Sequence, residues 1–145
     1  MIEIYVKSGT IKGKSAISFI LKSQKHKWIK AFCVNKNLPE NSFTKSIALD
    51  SVAVICSLRH IKNKYKKKKV TVYSDSSHVL SALKTKGDEY VNKTKISAIE
   101  NLRDLTSTFH NISIKKLPDK CEHRDELEHI FIECALDDIE LNEKS

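Results

Sequence analysis

No stretch of this chain is long and apolar enough to span a membrane, because its longest helical patterns carry Lys, Asp or Ser throughout. It has no internal repeat and no linker-like segment, which leaves a single domain over residues 1–145. Its four cysteines, Cys33, Cys56, Cys121 and Cys134, lack disulfide-style spacing, so free thiols in a reducing cytoplasm are expected. The sequence opens directly on a strand pattern, IEIYV, so no signal peptide is expected. Disorder does not fit either, since 40% of the residues are hydrophobic and the periodic segments are clear.

Acidic residues are scarce over most of the length. Residues 1–120 hold 24 Lys or Arg against 9 Asp or Glu, whereas residues 121–145 hold 2 against 9. A basic body of this kind attracts a polyanion, nucleic acid first, through counterion release and steering. For Lys66 to Lys69 alone, a solvated loop or strand entrance is as good an account as a binding patch. Only Tyr65 is interleaved with these lysines, which argues against a single-strand stacking platform there.

Residues 2–6 alternate as a first strand, with Gly9 and Gly13 expected in the turn after it. Residues 15–22 and 28–34 read as two more strands, closing an antiparallel meander. Residues 35–42, with Pro39, read as a loop, and Thr44 can cap a helix running to about His60. Ile47, Leu49, Val52, Ile55 and Leu58 form one stripe on that helix. Val70, Val72 and Tyr73 make a short strand, Asp75 and Ser76 interrupt it, and Val79, Leu80, Ala82 and Leu83 follow at helical spacing. Residues 87–93 are loop-like, a helix is expected from about 94 to 109, and residues 112–117 make a fifth strand that Pro118 stops. A Glu-rich helix over residues 124–141 has Leu127, Ile130, Phe131, Ala135 and Leu136 at core-facing spacing. The order β-β-β-α-β-α-β-α predicts an α/β sheet with Asp75 at the carboxyl end of a strand, the edge where ligands and metals gather. Asp75 as a simple helix N-cap is the bland alternative.

That order, with four short segments, resembles the type 1 ribonuclease H family over nearly the whole chain. IEIYVKSG is similar to the family's first strand, DSVAVICSL to its Glu-Leu-x-Ala-x-x-x-x-Leu helix, YSDSSHV to its central strand and RDELEHI to the opening of its last helix. The resemblance implies a five-stranded mixed sheet, three strands antiparallel and two parallel, flanked by helices. It places Asp50, Asp75 and Asp125 on three of four carboxylates that hold two Mg²⁺ ions for hydrolysis of the RNA strand of an RNA–DNA hybrid.

The fourth position, the family's metal-bridging aspartate, is Lys7 here. An ammonium cannot ligate Mg²⁺, and Lys7 is expected instead to pair with Asp50, Asp75 and Asp125 as a tethered substitute for a metal. Ser8 points to the opposite face of the strand and does not replace the lost ligand. The family's loop histidine is not carried over to His123, which lies at a different offset, and TKGDEYVNK stands where some members have a longer basic protrusion. Tyr90 in that segment is read as a loop aromatic packing on the core. Cys121, His123, His129 and Cys134 fit no established zinc spacing and are read as surface His and partly buried Cys. His26, His60, His78 and His110 show no partner from sequence.

The expectation is therefore a nucleic-acid-binding pseudo-enzyme gripping a duplex or hybrid through Lys7, Ser8, Lys12, Lys14 and Ser76, with no cofactor. The alternatives are an Mg²⁺- or Mn²⁺-dependent hybrid nuclease using Asp50, Asp75 and Asp125, and a protein-interaction module whose contact face is the acidic last helix.

Overall fold

The computed structural model describes residues 1–34, 38, 42–61, 63–84 and 97–144. Pro39, the loop at 87–93 and Tyr90 lie outside the described residues. The chain forms strands β1 (Ile2–Ile11), β2 (Lys14–Lys22) and β3 (Lys27–Cys33), then helix α1 (Ser42–Arg59) and a short 3₁₀ turn (Asn63–Tyr65). Strand β4 (Lys69–Ser74), helices α2 (Ser77–Lys84) and α3 (Ser97–Thr106), strand β5 (Asn111–Lys116) and helix α4 (Glu122–Lys144) complete it. Among the described residues, α2 and α3 stand between β4 and β5, where the sequence shows helical spacing at 79–83 and again from about 94 to 109.

The strands form one mixed sheet in the order β3-β2-β1-β4-β5. The pairs β1–β2 and β2–β3 are antiparallel, and β1–β4 and β4–β5 are parallel. Helix α1 packs on one face against β1 and β2, while α4 packs on the other against β1, β2 and β3. The alternation of β1 serves both layers. Ile2, Ile4 and Val6 meet Val54 and Leu58 of α1, whereas Tyr5 meets Leu127 of α4. Strand β2 is buried without a break from Ser15 to Leu21 because helices cover both of its faces. On α4 the buried stripe is Leu127, Phe131 and Ala135 at four-residue spacing, while Leu136 is exposed. Each such aliphatic or aromatic side chain contributes about 1.5–3 kcal/mol on full burial.

Gly9 is not in a turn, contrary to the sequence expectation. It lies within β1 opposite Ala16, and the chain reverses only at Lys12 and Gly13, whose φ values of 49° and 80° give a two-residue hairpin. The long first strand is a consequence of packing: a Cβ on Gly9 would stand 3.0 Å from Cζ of Phe131, so glycine lets α4 settle onto β1. Among the described residues no helix is long and apolar enough to cross a membrane.

Candidate functional site

The strand–acid–helix turn forms as the sequence expects, but the cap is Ser76. Its Oγ accepts the Val79 N–H at 3.3 Å, and Ser74 Oγ accepts the Ser76 N–H at 3.1 Å. With the helix end satisfied by serines, Asp75 is released to point outward from the carboxyl end of β4. Ser76 itself is buried and committed to the cap, so its hydroxyl is not open to a phosphate.

Asp75 is held by Arg124, from the first turn of α4. Nη1 donates to Oδ2 at 2.7 Å and Nη2 donates to Oδ1 at 3.1 Å, a bidentate fork. The guanidinium also donates to the backbone: Nη2 to the carbonyl of Leu117 at 3.0 Å, and Nε and Nη2 to that of Pro118 at 3.3 and 3.1 Å. The bond to Asp75 is the main cause raising the Arg124 pKa above its ordinary value, against an opposing effect of burial. The start of α4 is fixed from beneath by packed rings, His123 tilted against Tyr5 at 4.5 Å and Tyr5 stacked on Tyr73 at 4.9 Å. His123 is therefore buried, with Glu122 and Glu126 beside it at 3.5 and 3.7 Å, and is not the surface residue expected.

Asp50 on α1 is met by Ser8, whose hydroxyl donates to Oδ1. The strand alternation placed Ser8 correctly on the face opposite Lys7, but that is the face α1 covers, so Ser8 and not Lys7 reaches the acid. Lys7 turns to the other side, with Nζ 5.3 Å from the centroid of the Phe131 ring. The expected pairing of Lys7 with three aspartates is not formed. The cation at Asp75 is Arg124, which sequence reasoning missed although it is the residue immediately before Asp125. Asp125 is exposed in the first turn of α4.

A pair of Mg²⁺ ions needs several free carboxylate oxygens converging on one place. Here both oxygens of Asp75 face Arg124, Asp50 accepts from Ser8, and Lys7 lies over the Phe131 ring. Among the described residues no three His, Cys, Asp or Glu side chains gather to hold a metal ion. The side chains as placed do not fit a metal pair. The zinc alternative fares no better, because Cys134 sits beside Cys33 and His129 beside Glu133.

Positive charge surrounds the edge. Lys12 is exposed at the hairpin tip and Lys14 follows it on β2. On β5, exposed Lys116 pairs in register with Ser74, next to Asp75. The acidic face of α4 is partly used within the chain, since Glu126 Oε1 lies 2.6 Å from Lys27 Nζ.

Comparison with solved structures matches this architecture to ribonucleases H1. The enzyme of the halophilic archaeon Halobacterium salinarum aligns with a TM-score of 0.66 at 17% identity, covering 94% of this chain and 98% of that one. LC11 ribonuclease H1, in complex with an RNA/DNA hybrid, aligns with a TM-score of 0.64 at 20% identity, covering 94% and 99%. The N-terminal ribonuclease H domain of Rv2228c from Mycobacterium tuberculosis gives 0.58 at 15% identity, covering 87% and 91%. The chain has the ribonuclease H-like fold. No family model and no curated protein matches its sequence.

Proposed function

We propose that this chain is a nucleic-acid-binding domain that grips an RNA–DNA hybrid or duplex backbone without two-metal hydrolysis. The observation that carries this reading is the Arg124–Asp75 fork at the carboxyl end of β4. It puts a guanidinium where the fold's hydrolases need an open carboxylate, and a guanidinium is a phosphate ligand rather than a metal ligand. The excess of Lys and Arg over residues 1–120 supplies the long-range attraction. Lys7, Lys12, Lys14 and Lys116 are the side chains assigned to phosphates, with Ser8 holding Asp50 in place beneath them. The hybrid is the first ligand to try because one structural neighbour is a hybrid complex.

The test is fluorescence anisotropy with a blunt, end-labelled RNA–DNA hybrid over a salt series, beside a cleavage assay in Mg²⁺ and in Mn²⁺. Binding that falls steeply with salt, with the hybrid left intact, is the expected result. Absent or salt-insensitive binding to hybrid and duplex alike removes the proposal. Cleavage abolished by Asp75→Asn would replace it with the nuclease reading on Asp50, Asp75 and Asp125.

A further inference from the structure

A groove of about 870 Å³ opens at the end of the sheet opposite Asp75. Strands β1 and β4 run parallel, with Ile2 beside Val70 and Tyr5 beside Tyr73, so their amino ends lie a strand length from the carboxylate edge. The start of β1, the end of β2, strand β3 and the segment after α1 line the groove.

Its walls are aromatic and its charge is of one sign. Phe19, Trp28, His60 and Tyr65 contribute rings, and Lys25, Lys30 and Lys68 are the charged side chains, with no Asp or Glu among the described lining residues. The rings fall into two groups along the groove. His26 lies 5.3 Å from Trp28, His60 5.1 Å from Phe19, and Phe32, just outside the groove, 6.1 Å from His60. Trp28, Lys30 and Phe32 share one face of β3, opposite Leu21, Phe19 and Ile17 of β2, at roughly 7 Å spacing.

That face is left open although it is rich in large side chains: Trp28 is 48% and Phe32 41% exposed. An exposed apolar patch of this kind marks an interaction surface, and its charge selects the partner. The partner must be a polyanion that also presents flat apolar faces. A duplex offers phosphates, but its bases are already stacked inside. A single strand offers both, since every base has a ring face and rings on a basic groove are how such strands are held.

We propose that this groove binds single-stranded nucleic acid, with bases stacked on Trp28 and Phe32 and phosphates on Lys25, Lys30 and Lys68. It is a second site, separate from the carboxylate edge, and does not rest on how that edge works.

Trp28 is the chain's one tryptophan, so its emission reports on this groove alone. The experiment titrates the whole chain with oligothymidylate of about ten nucleotides and follows Trp28 quenching. Phe32→Ala and Lys30→Glu are compared with wild type, and blunt-hybrid anisotropy is run in parallel at ~0.15 M salt, where charges more than about 8 Å apart are screened. The expected result is saturable quenching that weakens with salt, with affinity lowered about tenfold by each substitution and hybrid binding unchanged. No quenching of the folded wild type, or quenching indifferent to both substitutions, overturns the proposal. So does sedimentation showing a dimer that Phe32→Ala dissociates while oligonucleotide binding persists, which would make the face a contact between copies. Lost hybrid binding with retained oligonucleotide binding would instead defeat the reading of the carboxylate edge and leave this one standing.

Discussion

Arg124 and Asp75 are joined by two hydrogen bonds, at 2.7 and 3.1 Å, between the first turn of the last helix and the end of the central parallel strand. In sequence they stand 49 residues apart. Lys7, which the sequence offered as the cation for these acids, lies instead over the Phe131 ring, and the cation at Asp75 is Arg124. On the proposed reading, both positions must change before the site can hold a metal.

Lys7→Asp alone is expected to leave the protein without measurable Mn²⁺ binding, because Arg124 still occupies both oxygens of Asp75. Lys7→Asp combined with Arg124→Ser is expected to bind Mn²⁺, read as a rise in melting temperature that EDTA reverses. At a hundredfold excess of Mn²⁺ over its Kd the gain is about 2.7 kcal/mol. A metal-dependent shift in the single variant would show that Arg124 does not block the site.

Gly9→Ala is expected to destabilise the protein by about 1–3 kcal/mol, because the added methyl meets the Phe131 ring edge at 3.0 Å within a packed layer. Urea unfolding measures it. Phe131→Leu in the same chain is expected to recover part of the loss, giving a coupling of about 0.5 kcal/mol or more in a double-mutant cycle. Strict additivity would mean the ring moves aside freely.

The Lys27–Glu126 pair ties edge strand β3 to α4 and sets a pH dependence. The Glu126 pKa is held below its ordinary 4.5, first by the hydrogen bond from Lys27, with burial opposing. The folded protein therefore binds this proton more weakly than the unfolded chain. The pair's contribution is complete above pH 4.5 and lost as acid passes through the lowered value. Both side chains are about a third exposed or more, so Glu126→Gln is expected to cost only about 0.2–1 kcal/mol at pH 7. The difference should shrink as the pH falls below 4.5, as urea midpoints measured over a descending pH series will show. His123, whose Nδ1 lies 3.7 Å from Glu126, is the other titratable partner, and His123→Gln serves as the control.

The sheet and its helices were legible because period-two and period-3.6 patterns rarely coincide by accident, and the Asp75 turn sits between one of each. What stayed hidden was decided by packing between distant segments. Arg124 and Asp125 are neighbours in sequence, and only the docking of α4 through Leu127 and Phe131 settles which of them faces β4. The face-by-face alternation of Lys7 and Ser8 was readable, but which face α1 would cover was not. The lysines near Tyr65 looked poor in aromatics because Trp28 comes from a strand more than thirty residues earlier, brought to the same groove by the meander.

The same meander makes one further contact that the cysteine spacing did not suggest. Cys33 at the end of β3 and Cys134 on α4 are 101 residues apart, yet their sulfurs lie 3.7 Å from each other. Both are half-buried thiols, and a modest approach of the two would bring them to bonding distance. Mild oxidation with diamide is expected to join them within one chain, removing two titratable thiols and speeding migration on a non-reducing gel. Cys33→Ser should abolish both effects. Closing so long a loop restricts the unfolded chain, so the oxidised form should be more stable by up to about 4.7 kcal/mol, less any strain the bond imposes on α4. A full count of four reactive thiols in the unfolded, diamide-treated protein would show that β3 and α4 hold the sulfurs too rigidly apart to react.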